Sequence, residues 1–287
     1  MLLEVKRARL KTTLSNRKAL AKMNDLSTIL GNIQSSDNGE LLTEVDASWL
    51  QGRTAFGGIG AALGVRAMTD LVDAKKPLRS MMTNFVGPLE AGPVKVPAEI
   101  LREGKSASQT EARVYSGAKI ATTISAAYGA PRDTLDVPAP NIQLDSSPDD
   151  YLPDEHTPRQ PAFLKHFDIR WKGNGVPYSG TRDVTMEMWV RHRSDVSLYP
   201  NEKMVTICDI PPGAILSWYT KPAMLSSQTW ILDFLYPAEE ITGDWFHLEY
   251  RLLAARGGYS HQSGRIRDEN GRLVAISHQC MVYFEPK

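Results

Sequence analysis

The sequence contains little cysteine and no excess of charge. Only two of its 287 residues are cysteine, Cys208 and Cys280, and both lie among apolar neighbours. A disulfide framework needs more cysteines than this, so we expect two reduced, buried thiols and a cytoplasmic protein. Lys and Arg together number 33, as do Asp and Glu, and the formal net charge is therefore zero. This balance gives no support to nucleic acid or an anionic membrane as a partner.

Long apolar runs and several catalytic signatures are also missing. No run is apolar and long enough to span a bilayer, and the first residues lack the apolar core of a signal peptide. The sequence has no G-x-S-x-G motif of serine hydrolases, no phosphate-binding loop and no dinucleotide fingerprint. His247, His261 and His278 do not have the spacing of zinc ligands. We therefore expect neither a metal ion nor a separate cofactor.

Two changes in composition divide the chain. The first 22 residues hold seven Lys or Arg and a single acidic residue, Glu4. They predict a solvated, poorly ordered leader, with a basic arm for an acidic partner as the alternative. The stretch from Pro131 to Pro161 holds seven of the 18 prolines, which is typical of an extended linker. The predicted segments are a leader 1–22, a domain 23–132, a linker 133–161 and a domain 162–287.

The two predicted domains resemble each other. Residues 83–104 can be aligned with 232–255, which matches Phe85 with Phe234. An internal repeat of this kind indicates two copies of one supersecondary unit. Each copy predicts a helix followed by several long antiparallel strands.

The last hairpin of each domain also aligns. Residues 112–128 correspond to 264–283, and both contain favourable turn residues. In this register Gln279 stands where the first copy has Ser125. The strand around Gln279 is predicted to be largely buried, and a buried amide must be hydrogen-bonded. Gln279 is therefore expected to have either a structural partner or a functional role.

The helix predicted in the first domain has a surface formed by unusually small residues. Small residues dominate from Gly57 to Gly64 after Phe56, and apolar residues at helical spacing follow. Such a helix can lie close against a curved sheet. We expect it to face a strand surface of small residues, formed by Ala121, Thr123, Ser125 and Ala127. A long antiparallel sheet wrapped round a central helix is the hot-dog architecture, so two copies predict an α+β double hot-dog.

Several longer stretches follow one another in a familiar order: WLQGRTAFGGIGAALGVRA, NFVGPLEAGP, EILREGKSASQTEARVYSGAKIA, MWVR and GRLVAISHQCMVYF. Together they resemble the acyl-CoA thioesterase II family of double hot-dog enzymes, over roughly residues 25 to 286. The resemblance implies hydrolysis of acyl-CoA to a free acid and CoA, without a metal. Since the long edge strands of hot-dogs need covering, we also expect a homo-oligomer, such as a dimer of double hot-dogs.

The resemblance further implies an active site of Asp, Thr or Ser, and Gln from the C-terminal half. These fall on Asp209, at the end of a helix predicted for PNEKMVTICDI, on Ser227 and on Gln279, with Ser226 and Thr229 as competitors for the hydroxyl. Thioester hydrolysis needs a carboxylate to take a proton from water and polar groups to hold that water. A carboxylate is also disfavoured at a helix C-terminus, and such violations are frequent at functional sites. The alternatives are a turn-capping Asp209 and a structural Gln279.

Gly57 and Gly58 have two interpretations. They either allow close helix packing or form a helix N-terminus whose free N–H groups bind the thioester oxygen.

Two functions other than thioester hydrolysis also stay open at this stage. One is enoyl-CoA hydration on the same fold, although the N-P-x-H segment of hot-dog hydratases is absent. The other is non-catalytic binding of acyl-CoA. The sequence does not predict the preferred acyl chain.

Overall fold

The computed structural model describes residues 24–286, apart from positions 38, 145, 155, 158 and 159. The predicted basic leader, 1–22, lies outside these residues. In the part of the chain that is described, no helix is both long and apolar enough to cross a membrane.

From residue 24 onward, the described part of the N-terminal half contains two helices and nine strands. The helices are α1 (Leu26–Gly31) and α2 (Gly57–Thr69). The strands are β1 (Gln34–Ser35), β2 (Leu41–Val45), β3 (Leu50–Gln51), β4 (Thr54–Ala55), β5 (Leu78–Phe85), β6 (Gly92–Val96), β7 (Ala98–Glu103), β8 (Ala107–Ser116) and β9 (Lys119–Gly129). The helix predicted after Phe56 is thus present as α2, since its small and apolar residues keep helical spacing through three turns.

In the described residues the C-terminal half repeats this plan with one α-helix, α3 (Pro200–Cys208). Its strands are β10 (Leu152–Pro153), β11 (Phe167–Trp171), β12 (Thr185–His192), β13 (Leu225–Phe234), β14 (Phe246–Arg256), β15 (Tyr259–Arg267) and β16 (Leu273–Tyr283). Between β9 and β11 the described residues form only β10 and short turns. The domain boundaries proposed from the sequence stay predictions.

One continuous antiparallel sheet joins the two halves. Its strand order is β1-β2-β6-β8-β9-β5-β13-β16-β15-β14-β12-β11-β10, with β7 paired to β8. The halves meet where β5 pairs with β13, for example Thr83 with Trp230. Both α2 and α3 lie against this sheet and contact each other. The chain therefore has the predicted α+β double hot-dog fold.

The matched glycines of the repeat support the alignment of the halves. Gly92 and Gly243 stand at corresponding positions, and both have positive φ, 129° and 90°. Positive φ is a conformation that glycine adopts without the steric cost other residues meet. Both halves therefore place a glycine with positive φ in the segment that follows the matched strands, β5 and β13.

The prediction for the helix-facing side of β9 was wrong by one residue. Thr122, Ile124, Ala126 and Tyr128 are buried, whereas Ser125 is exposed. A Cβ added at Gly64 of α2 would lie only 2.4 Å from the Ile124 side chain, so this residue faces the helix. A shift of one residue exchanges the two faces of a strand, and the small residues on both faces hide the correct choice.

The same shift changes the counterpart of Gln279. Met81 pairs with Ala126, and Trp230 pairs with Gln279. Since Phe85 aligns with Phe234, Met81 aligns with Trp230, and the position matching Gln279 is Ala126 rather than Ser125. The first half thus holds a methyl group where the second holds an amide.

Candidate active site

Three polar side chains that lie far apart in the sequence meet at one point. The Gln279 Nε2 atom donates to Asp209 Oδ1 at 3.1 Å and to Ser227 Oγ at 3.0 Å. Gln279 is buried in β16, while Asp209 and Ser227 keep partial exposure at the end of α3 and in β13. The structure therefore brings together the three residues that the sequence singled out.

Asp209 owes its position to the end of α3. It caps the helix with φ −96° and ψ 0°, two residues before Pro211 and Pro212, which cannot continue the helix. The preceding Cys208 carbonyl accepts a hydrogen bond from the Tyr250 hydroxyl. The Tyr250 ring lies directly over Gly264, where an added Cβ would come within 2.4 Å of the ring. A strand glycine thus allows a tyrosine to fix the helix end that carries the carboxylate.

Ser227 points to the site because of a β-bulge in β13. The pairing of β13 with β16 shifts between Ser227 and Thr229. Without this extra residue, strand alternation would place Ser227 and the buried Trp230 on opposite faces. Of the competing hydroxyl groups, Ser226 and Thr229 are both exposed. Only Ser227 is within hydrogen-bonding distance of Gln279 among these three.

Gln279 belongs to the helix-facing side of β16. Ala275, Ser277 and Met281 share this side and are buried with it. The Trp230 indole on the neighbouring strand donates to Ser277 Oγ at 2.9 Å, so this polar group is also satisfied. His278, the neighbour of Gln279, is exposed on the other side of the sheet.

Gly57 and Gly58 allow the N-terminus of α2 to approach Asp209. A Cβ at Gly57 would lie 2.8 Å from Asp209 Oδ2, and a Cβ at Gly58 would lie 3.3 Å from Asp209 Cβ. An added Cβ would also collide with an aromatic ring, that of Phe85 at position 57 and that of Phe56 at position 58. The preceding residue supplies no side-chain cap for α2. Close packing therefore occurs together with helix N–H groups that have no side-chain cap from the preceding residue.

The environment of Asp209 makes its carboxylate unusually basic. Burial raises the pKa of Asp209 to about 7, although hydrogen bonds from Gln279 and from the backbone of Gly58 act in the opposite direction. Its titratable neighbours are the Cys208 thiol and the Tyr250 phenol. Burial raises the pKa of each of these groups, so both stay uncharged near neutral pH. The carboxylate consequently lies near Gly57 and Gly58 without a cationic partner among these neighbours.

The sequence analysis missed a second amide at this site. Gln262 Nε2 donates to Gln279 Oε1 at 3.1 Å, and Gln262 Oε1 accepts from the Ala214 N–H at 2.9 Å. Gln262 lies opposite Gln279 in the hairpin of β15 and β16, and both are buried. Gln262 could have been found from the sequence, because the predicted hairpin of β15 and β16 pairs it with Gln279 on the apolar side.

Two family models match the sequence in the order expected for this architecture. Residues 45–129 match the acyl-CoA thioesterase N-terminal domain, and residues 145–283 match the acyl-CoA thioesterase C-terminal domain. A search of curated proteins finds no match to this sequence.

Solved structures share the fold over nearly the whole chain. A conserved hot-dog protein of unknown function from Alicyclobacillus acidocaldarius is 19% identical, with a TM-score of 0.79, and the match covers 90% of this chain and 98% of that chain. An acyl-CoA thioesterase II from Mycobacterium marinum is 17% identical, with a TM-score of 0.71, covering 91% and 98%. The dehydratase domain of RzxB from Pseudomonas fluorescens is 12% identical, with a TM-score of 0.52, covering 92% and 100%.

Identities this low show the fold alone, and the family rests on the two domain models. Both thioesterase domains are matched in sequence, and they correspond to the two hot-dogs joined by β5 and β13. The chain therefore belongs to the acyl-CoA thioesterase family with the double hot-dog fold.

Proposed function

We propose that the protein hydrolyses acyl-CoA thioesters to a carboxylic acid and CoA, with Asp209 as general base. The observation that carries this proposal is the contact of Gln279 with both Asp209 and Ser227 beside the N-terminus of α2. A general base works best when its pKa lies close to the working pH. Burial raises the pKa of Asp209 to about 7, which suits this role.

The reaction follows from these groups. The Asp209 carboxylate takes a proton from water while the water oxygen bonds to the thioester carbonyl carbon. The resulting oxyanion is stabilised by N–H groups at the start of α2, which has no side-chain cap from the preceding residue. The carbon–sulfur bond then breaks, and the CoA thiolate receives the proton held by Asp209. All atoms are accounted for by acyl-CoA and one water.

Gln279 and Ser227 hold the attacking water. Because Gln279 donates to the Ser227 oxygen, the hydroxyl proton of Ser227 stays available for water or substrate. A water held by polar groups of fixed orientation avoids part of the entropic cost of reaching the carbonyl carbon. These two side chains therefore position the nucleophile, and the carboxylate activates it.

A panel of acyl-CoA substrates tests the proposal, with release of free thiol as the readout. Hydrolysis predicts one thiol for each acyl chain released. Enoyl-CoA hydration predicts loss of the enoyl absorbance without thiol, and a binding protein predicts saturable binding with neither change. The fold shared with a dehydratase domain makes the enoyl-CoA comparison a necessary part of the panel.

We further propose a cytoplasmic setting and assembly into a homo-oligomer. Cys208 and Cys280 are both free thiols, which suits a reducing compartment, although Cys280 is half-buried rather than buried as predicted. Met82 and Ile231, which pair across the junction of the halves, are 48% and 36% exposed. Light scattering of the purified protein measures the assembly, and a single monomeric mass would contradict it.

A further inference from the structure

We propose that Gln262 is a positioning residue that sets the orientation of the Gln279 amide. Its effect on catalysis rests on the proposed thioesterase function. Its effect on Gln279 rests on a chain of hydrogen bonds that runs from the backbone to the carboxylate. Every group in this chain of hydrogen bonds is buried or half-buried.

The chain of hydrogen bonds begins at a backbone N–H group, which can only donate. The backbone N–H of Ala214, in the segment between α3 and β13, donates to Gln262 Oε1 at 2.9 Å. A primary amide has its oxygen on one side and its NH₂ group on the other. Once its oxygen faces Ala214, the NH₂ group of Gln262 must face Gln279. It donates there to Gln279 Oε1 at 3.1 Å.

The same logic then fixes Gln279. Its oxygen is directed to Gln262, so its NH₂ group is directed to the site, where it donates to Asp209 and Ser227. The opposite orientation would place the Gln279 oxygen against the Asp209 carboxylate, so that two acceptors would meet and a hydrogen bond would be lost. A protonated Asp209, however, can donate to the Gln279 oxygen, so the contact with Asp209 does not fix the amide in both protonation states. Gln262 supplies the missing preference.

A fixed orientation has two consequences for the reacting groups. Gln279 acts toward Asp209 and Ser227 as a donor only, and its hydrogen bond helps keep the carboxylate ionised. Ser227 must accept from Gln279, so its own proton is directed elsewhere. Gln262 itself contacts neither Asp209 nor Ser227 by hydrogen bonding in the described part of the chain. Its contribution to the reaction is therefore indirect.

The test compares Gln262→Met with wild type. Methionine has a similar length but cannot donate to Gln279, so both amide orientations become accessible. We expect kcat to fall about fivefold to tenfold, the order expected for one hydrogen bond, with KM nearly unchanged. The acid limb of the pH profile of kcat should move to higher pH, because Asp209 loses a donor in part of the population. A purely structural role of Gln262 would lower the amount of folded enzyme without moving this limb.

Two further variants keep the result decisive. Gln262→Glu preserves the acceptor for Ala214 but, when ionised, accepts from Gln279, and it should flip that amide and shift the limb further than Gln262→Met. Thr110→Val is the matched control, because Thr110 pairs with Ala126 on β9 as Gln262 pairs with Gln279 on β16. It should leave kcat and the pH profile as in wild type. Unchanged kcat and pH profiles in both Gln262 variants would overturn the proposal.

A second measurement separates this proposal from the thioesterase function. In protein labelled with ¹⁵N-glutamine, the side-chain N–H signals of Gln279, assigned by their absence in Gln279→Glu, should shift in Gln262→Met but not in Thr110→Val. If these signals shift and no acyl-CoA is hydrolysed, Gln262 orients Gln279 and the proposed function fails. If acyl-CoA is hydrolysed and the signals stay in place, the function stands and the role of Gln262 is wrong.

Discussion

The two helix C-termini of the double hot-dog can be compared directly. Helix α2 is capped by Asp70, and helix α3 is capped by Asp209. Asp70 forms an ion pair of 2.6 Å with Arg66, and its side chain is 47% exposed. Asp209 instead contacts Gln279, which holds it against the N-terminus of the other helix. The same local motif therefore gives a solvated ion pair in one half and an unusually basic carboxylate in the other.

The strands beneath the two aspartates differ in polarity, not in backbone. Counting back from the matched Phe85 and Phe234, Leu78 stands where the other half has Ser227. Both positions lie at a register shift, between Leu78 and Ser80 in one half and between Ser227 and Thr229 in the other. By the same registers, Ala126 replaces Gln279 and Thr110 replaces Gln262. The bulge and the helix end are thus features of the fold, and the polar groups are additions to it.

The helix N-termini differ as well. Where α2 begins with Gly57 and Gly58, α3 begins with Pro200 and Asn201, and the buried Glu202 follows. Burial raises the pKa of Glu202 to about 7, and the start of α3 carries a buried carboxyl group where the start of α2 has glycine. The start of α3 therefore carries polar side chains, whereas the glycines at the start of α2 let the helix backbone approach Asp209 closely.

The largest expected effect separates the two aspartates. Asp209→Asn keeps the size of the side chain but removes the base, so kcat should fall about 10²–10⁴-fold with little change in KM. Asp70→Asn is the matched control and should retain full kcat. Steady-state kinetics on the best substrate of the panel measure both. Equal losses in the two variants would mean that the carboxylates act on the fold rather than on the reaction.

Gln279→Ala gives the second half the residue of the first. We expect kcat to fall roughly 10–100-fold, less than for Asp209→Asn, because a poorly held water still meets a base. His278→Ala is the control, since His278 is adjacent in β16 but exposed on the other side of the sheet. A loss of activity in His278→Ala as large as in Gln279→Ala would contradict the claim that Gln279 acts because its side chain faces the site.

Much of this comparison could be predicted from the sequence, and its failures have identifiable causes. The assignment of Gln279 to the site came from the family resemblance. The double hot-dog and the end of the helix at Asp209 follow from helical spacing, Pro211 and the internal repeat. The register of β9 did not, because small residues occupy both of its faces. The larger Ile124 and Tyr128 were the signal for the buried face.

Other parts of the site depend on geometry that local pattern does not specify. Ser227 reaches Gln279 only because a bulge reverses the alternation of β13. A bulge cannot be predicted from one sequence, so Ser226 and Thr229 stayed candidates for the hydroxyl group of the site. The Ala214 N–H that orients Gln262 comes from a turn before β13, 48 residues away in the chain. Contacts of this kind appear only when the packing is known.

A smaller effect concerns stability and pH. The pKa of an Asp in an unfolded chain is about 3.9, and that of Asp209 in the fold is raised to about 7. Between these values the folded state holds a proton that the unfolded state has released, so this group lowers stability progressively as the pH rises from about 4 to 7. Asp209→Asn removes the penalty and should stabilise the fold at pH 8 by up to about 4 kcal/mol, the equivalent of three pKa units, with little gain at pH 4. Urea denaturation at both pH values measures this, and a variant less stable at pH 8 would indicate a structural Asp209.

The smallest effect is expected at the N-terminus. The composition of residues 1–22 shares no apolar periodicity with either half, so their deletion should leave kcat and Tm nearly unchanged. Thermal denaturation and the thiol-release assay check this together. A large loss in either would show that the basic segment contributes to one of the two hot-dogs.

The pH dependence of kcat tests most directly whether Asp209 is the general base. In wild type, kcat should rise about tenfold per pH unit on the acid side, with a midpoint near the pKa of about 7, and reach a plateau above it. Asp70→Asn should show the same curve, and the residual activity of Asp209→Asn should lack the acid limb. A wild-type profile that is flat through neutral pH, or an acid limb that persists in Asp209→Asn, would contradict the account.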